Sequence, residues 1–277
     1  MESVKILVTL DKNYLLPLQV MLTSLYYNNP GEKIEIYLMH KNIPDLELER
    51  VREQCIRLHF DFFPTRMRGE DFQNAPVTKQ YPQEMYYRLL APWLLPRHLD
   101  RILYLDPDTL IINPIRPLWE TDLEGKLFGA ASHTGKTELV NNINQVRLGT
   151  TQKYFNSGVL LINLEAGREE VTPERIFTYA AERGRELLLP DQDILNALYG
   201  ERILEFDDYL WNYDVRNYNT YFLRSGGQSD LDWVMGNTGI LHFCGKSKPW
   251  QAGYSRRFGI LYKHYMQLAR RSCMQKA

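Results

Sequence analysis

One feature constrains the fold of this chain above all others: short apolar runs alternate with amphipathic segments over residues 6–105. Ile6-Leu7-Val8-Thr9-Leu10 reads as a buried strand, broken by the capping residues Asp11-Lys12-Asn13. Leu15, Leu18, Leu22 and Leu25 then recur at helical spacing, with Pro17 tolerable in a first turn. Ile34-Glu35-Ile36-Tyr37-Leu38 and Phe60-Asp61-Phe62-Phe63 read as the next two strands, separated by a charged helix over Leu46 to Leu58. Glu84 to Leu95 reads as a further helix ended by Pro96, and Arg101-Ile102-Leu103-Tyr104-Leu105 as a fourth strand. This order predicts an α/β fold with a mostly parallel sheet and helices on both faces. Ligands of such sheets bind outside the carboxyl ends of the strands. Asp11 to Asn13 and Asp106 to Asp108 follow the first and fourth strands, so both clusters are expected at one mouth.

The second half is less regular. Phe155 to Asn163 reads as a turn feeding a strand, and Pro190-Asp191-Gln192-Asp193 as the cap of a helix over Ile194 to Tyr199. Residues 207–240, rich in Tyr, Asn, Asp and Gly, read as a long loop region. From Tyr254 to Ala277 there is no acidic residue, while Arg256, Arg257, Lys263, Arg270, Arg271 and Lys276 are basic. The 277 residues suit one large domain with a small appendage: a catalytic domain over 1–250 and a basic helical extension over 251–277. Two readings of that tail stand side by side. It is a helix packed on the domain with a solvated basic face, or one that touches an anionic membrane surface.

A net charge of −1 leaves no global field for nucleic acid, which is not an expected partner. Cys55, Cys244 and Cys273 are odd in number and form no paired motif, which argues for a reducing compartment. The N-terminus is too short and acidic for a signal peptide, and no stretch reaches the roughly 18 apolar residues of a membrane span. A cytoplasmic protein is expected, with peripheral contact at the inner face of the membrane as the alternative.

The carboxylate pair carries the first chemistry. Residues two apart in an extended segment point to the same side, so Asp106 and Asp108 converge on one small volume. Pro107 fixes its own φ and holds Asp106 extended. Two carboxylates this close repel unless a cation sits between them, which suits Mg²⁺ or Mn²⁺. Asp-Pro-Asp is also ordinary turn chemistry, and the residues alone leave both readings open.

Arg101 to Asp108 resembles the D-x-D strand of glycosyltransferase family 8, which includes glycogenin and bacterial lipopolysaccharide galactosyltransferases. Five further segments are similar to that family in the same order: Val8 to Tyr14, Tyr87-Arg88-Leu89, Phe155-Asn156-Ser157-Gly158-Val159, Asp191-Gln192-Asp193 and His242 to Trp250. The resemblance implies a GT-A type nucleotide-sugar-binding fold and retaining transfer of a hexose, glucose or galactose, from a UDP-sugar to a glycan or glycolipid acceptor. It implies a metal held by Asp106, Asp108 and His242. Manganese fits that mixed oxygen and imidazole set, with magnesium as the alternative. Lys248 and the backbone of Gly245 would meet the diphosphate, and Thr9, Asp11, Asn13 and Tyr14 the uracil and ribose. Arg88, Asn156, Asp191 and Gln192 would surround the donor sugar. Asp191 and Gln192 are the nearest catalytic candidates, and attack on the face of departure is preferred over a covalent intermediate.

His133 stands where many members of the family carry an Asp near sugar and acceptor, which leaves the hexose and acceptor open. Gly135-Lys136-Thr137 ends like a phosphate-binding loop, but the Gly this motif needs at position 130 is Ala130. A sugar-nucleotide-binding protein without transfer and a UDP-sugar hydrolase share the donor-side residues, and an acceptor-dependent rate separates them from a transferase.

Overall fold

The computed structural model describes residues 2–68, 84–132 and 138–274; His133 and Gly135-Lys136-Thr137 lie outside the described residues. The strands are β1 (Val4–Thr9), β2 (Ile34–His40), β3 (Asp61–Arg66), β4 (Arg101–Leu105), β5 (Thr109–Ile111), β6 (Phe128–Ala131), β7 (Val159–Asn163), β8 (Ile203–Phe206), β9 (Tyr213–Asp214) and β10 (Ile240–His242). Seven form a sheet in the order β3-β2-β1-β4-β7-β6-β8, and β5-β10-β9 form a second. In the large sheet only β7 runs against its neighbours, so it is mixed and mostly parallel.

The apolar runs of β1 and β4 follow from burial on both faces. Leu7, Ile102 and Tyr104 join one apolar cluster, and Ile6, Val8, Leu103 and Leu105 another. The helices Leu15–Asn28 and Asp45–Arg57 add Leu18, Leu22 and Val51 to the second cluster. Pro173–Arg183 and Pro190–Tyr199 add Ile176, Phe177, Ile194 and Leu195 to the first. Each such side chain stabilises the fold by about 1.5–3 kcal/mol when fully buried.

Three elements differ from the sequence expectation. The helix expected over 84–95 is two short ones, Glu84–Leu89 and Ala91–Leu94. Pro92 lacks the N–H that would continue the ladder to Arg88, and its ring opposes that carbonyl. The expected cap at 190–193 is the first turn itself: the helix runs Pro190–Tyr199, with Pro190 at its first position, where no N–H is needed. Residues 207–240 are not a loop. They form the helices Asp208–Trp211, Tyr218–Arg224 and Leu231–Asn237, together with β9.

The basic tail forms the helix Gly259–Met274, and Phe258, Tyr262 and Ala269 lie in a third apolar cluster with Val20, Leu110, Leu241 and Phe243. No helix among the described residues is long and apolar enough to cross a membrane.

Candidate active site

Because β1 and β4 pair in parallel, with Leu7 beside Tyr104, their carboxyl ends open at one place. A cleft of about 710 Å³ lies there, lined by Thr9, Asp11 and Tyr14 from the first end and Asp106, Pro107 and Asp108 from the second. The small sheet supplies the third part. β10 pairs antiparallel with β5, and His242 sits opposite Thr109, the residue after Asp108. The register thus brings a residue more than a hundred positions away onto the carboxylate pair. Gly245, Lys248 and Cys244 follow it into the same cleft.

Ligand atoms of Asp106, Asp108 and His242 lie within 4.8 Å of one another. His242 Nε2 is 3.3 Å from Asp108 Oδ1 and 3.8 Å from Asp106 Oδ2. A divalent ion with bonds of roughly 2.0–2.6 Å spans donors at these separations. His242 Nδ1 is occupied on its other side by Asn212 Oδ1 at 2.8 Å, the outer contact that orients a metal-binding imidazole. The donor set and its support fit a hard or borderline divalent cation.

The charges of the cluster depend on one another. Burial pushes the Asp108 carboxyl up, but His242 and Lys248 outweigh it and hold it well below the usual range. Burial pushes the His242 imidazole down, whereas Cys244 and Asp108 push it up, and the result is raised. Burial also holds the Cys244 thiol above its ordinary value, against the lowering effect of His242. Lys248 Nζ donates to Asp108 Oδ2 and to the Phe243 carbonyl, the latter at 3.0 Å.

Arg88 lies at the end of its short helix, with its guanidinium between Asp106 Oδ1 at 3.0 Å and Asp191 Oδ2 at 3.1 Å. It also lies over the Tyr104 ring, whose hydroxyl donates to Asp106 Oδ1 at 2.5 Å. Burial raises the Tyr104 phenol, which keeps it a donor. Ser157 Oγ donates to Asp191 Oδ2 at 3.1 Å, and Asn156 Nδ2 donates to Gln192 Oε1 at 3.0 Å. Asp193 belongs to a different job. It is fully buried, accepts from Arg147 at 2.7 and 2.8 Å and from Tyr154, and also takes the N–H groups of Leu188 and Leu189.

Two glycines make room. A Cβ on Gly158 would fall 2.3 Å from His242 Cε1 and 2.7 Å from Asp106 Oδ2. Gly245 has φ +88, a conformation that favours glycine, and a Cβ there would meet Arg216.

Of the residues expected from sequence, the cleft brings together Thr9, Asp11, Tyr14, Arg88, Asp106, Asp108, Asn156, Asp191, Gln192, His242, Gly245 and Lys248. Asn13 is exposed and not on its wall; its backbone and side-chain amides hold the two Asp11 oxygens at 2.8 and 3.1 Å. Sequence reasoning missed Tyr104, Asn212, Asp214 and Arg216. For Asp214 a signal existed: an Asp whose side chain caps the next turn, here by accepting from the Arg216 N–H at 3.0 Å.

This architecture, with its acidic and imidazole cluster at the mouth of the parallel strands, defines a GT-A glycosyltransferase. Two solved structures of LgtC share the fold: an active-site mutant, at a TM-score of 0.78, and the galactosyltransferase with donor and acceptor sugar analogues, at 0.76. Each is 24% identical and covers 95% of both chains. Residues 5–253 match the family model for glycosyl transferase family 8, and the chain belongs to that family. It is similar to general stress protein A of Bacillus subtilis (strain 168), 27% identical over 273 residues, 96% of this chain and 93% of that protein. It is also similar to lipopolysaccharide 1,2-glucosyltransferase of Escherichia coli (strain K12), 25% identical over 257 residues, 90% of this chain and 73% of that one.

Proposed function

We propose that this glycosyltransferase moves a hexose, glucose or galactose, from a UDP-sugar to a glycan or glycolipid acceptor with retention of configuration, using Mn²⁺ at Asp106, Asp108 and His242. The observation that carries the reading is the convergence of these three side chains with Lys248 in the cleft that also holds Thr9, Asp11 and Tyr14. Similarity to a lipopolysaccharide glucosyltransferase supports a hexosyl donor and a glycan or lipid-linked acceptor.

When bound, a divalent cation there neutralises the charge that builds on a departing diphosphate. The chain's own groups do the rest. Lys248, held by Asp108 and the Phe243 carbonyl in the same cleft, would face the diphosphate. Asp11 and Tyr14 receive the nucleoside end, and Arg88, Asp191 and Gln192 form the wall for the sugar. Gln192 has no idle oxygen facing the site, and one of the two Asp191 oxygens is engaged. Asp191 Oδ2 is held by Arg88 and Ser157, and Gln192 Oε1 by Asn156. The commitment of the single Gln192 oxygen supports attack by the acceptor on the face of departure over a covalent intermediate through Gln192.

A panel of UDP-sugars with Mn²⁺, scored for UDP release with and without glycan acceptors, tests the proposal. One UDP-hexose should be consumed in an acceptor-dependent way, and Asp108→Ala should abolish it. Equal activity in Asp108→Ala, or release that no acceptor accelerates, rejects the reading.

A further inference from the structure

A single hydrogen-bonded chain joins the proposed metal ligand to the sugar wall, and one backbone amide sets its direction. Asn156 Oδ1 accepts from the Gly158 N–H at 2.9 Å. A backbone N–H only donates, so this contact decides which way the Asn156 amide faces. The group that shares the oxygen, Asn212 at 2.9 Å, is therefore Nδ2. Asn212 Oδ1 is left facing His242 Nδ1 at 2.8 Å, so that nitrogen bears the hydrogen. With that hydrogen fixed on Nδ1, it is Nε2, on the side of Asp106 and Asp108, whose proton a cation would displace. At the other end, Asn156 Nδ2 is committed to Gln192 Oε1 at 3.0 Å, so the group Gln192 has left for the cleft is its amide nitrogen.

We infer that Asn212, fully buried and off the cleft wall, is a positioning residue that sets both the hydrogen on His242 and the direction of the Gln192 amide. Gln192 then meets the donor sugar as a hydrogen-bond donor and not as an oxygen nucleophile. The inference rests on the metal reading proposed above and adds a residue that no motif marks. Its logic is that an amide between two neighbours must accept from one and donate to the other; only Asn or Gln does both with fixed ends.

Two variants separate these roles, read by Mn²⁺ affinity in the presence of UDP, followed by electron paramagnetic resonance, and by kcat. Asn212→Leu removes both contacts. Its Mn²⁺ affinity should fall about 10–100-fold, the usual loss when a ligating histidine loses its outer partner. Asn212→Asp still accepts from Nδ1, so Mn²⁺ affinity should stay near that of the parent. Its second oxygen opposes Asn156 Oδ1, the two amides beyond it are disturbed, and kcat should fall about 100-fold, as for other small misplacements. If Asn212→Leu does not fold, the split between metal affinity and kcat in Asn212→Asp decides alone. The inference is overturned by a Leu variant that binds Mn²⁺ as the parent does, or by an Asp variant that keeps kcat or loses both properties in proportion. A parent that binds no Mn²⁺ overturns the metal reading as well, which distinguishes the two failures.

Discussion

At the scale of single residues, the site is defined as much by absent atoms as by present ones. Gly158 passes beneath His242 and Asp106 where a methyl group has no room. Gly158→Ala is expected to displace the imidazole and weaken Mn²⁺ binding measured by titration calorimetry. The overpacking should also cost about 1–3 kcal/mol in denaturant unfolding. A fall in stability with unchanged metal affinity speaks against the site. The proton on His242 makes a second prediction. Its pKa is raised in the folded protein, so protonation adds stability that is fully present below the ordinary value near about 6.5 and lost as pH rises through the raised value. Asp108 is lowered, so its contribution is present above about 3.9 and is lost only as pH falls through the lower folded value. A cation must displace the imidazole proton. Mn²⁺ affinity should therefore fall as pH is lowered, and binding heats in buffers of different ionisation enthalpy should reveal proton release. Mn²⁺ should also restore the thermal stability that the metal-free protein loses at alkaline pH.

At the scale of elements, strands buried on both faces announce themselves as unbroken apolar runs, and β1, β2 and β4 were legible for that reason. So were the polar clusters at their ends. Residues 207–240 were misread because their Asn, Asp and Tyr content resembles a loop. In the structure three of the acidic residues are helix caps: Asp207 accepts from the Tyr209 N–H, Asp214 from Arg216 and Asp230 from Trp233. Asn212 was not legible at all, since its role depends on β9 lying beside β10, a pairing no local pattern encodes. The Asp191-Gln192-Asp193 segment shows the opposite case, one motif with two functions. Asp191 and Gln192 face the cleft, whereas Asp193 ties the helix start to Arg147 and Tyr154. Asp193→Ala removes the acceptor of Tyr154 and of the Leu188 and Leu189 N–H groups, while Arg147 keeps the Glu186 carbonyl and Asn144, and should cost about 1–3 kcal/mol. Urea unfolding measures it. A neutral result in that assay means the pair does not anchor the helix.

At the scale of the whole molecule, the proposed site residues sit on a seam between two sheets, and the C-terminal helix helps to cover the small sheet. Phe243, next to His242, packs edge-on against Tyr262 at 5.1 Å between ring centroids, and Tyr262 is fully buried. Tyr265 accepts from Asn28 Nδ2 at 2.7 Å, which ties the same helix to Leu15–Asn28. Its apolar side is thus engaged within the fold, and what is exposed is largely basic: Arg256 and Arg257 just before it and Lys263, Arg270 and Arg271 on it, with Ile260 beside them. Contact with anionic vesicles would then be electrostatic, weak and abolished by salt. The same packing predicts how the chain responds to shortening. Tyr262→Ala should destabilise it by about 3–5 kcal/mol, as for other large aromatic truncations. Ending the chain before Gly259 removes the whole cover, exposes Phe243 and Leu241 to water, and lets His242 lose its register with Thr109. The truncated protein should lose cooperative thermal unfolding and Mn²⁺ binding together. An appendage predicts the reverse: a melting temperature and metal affinity that truncation leaves unchanged.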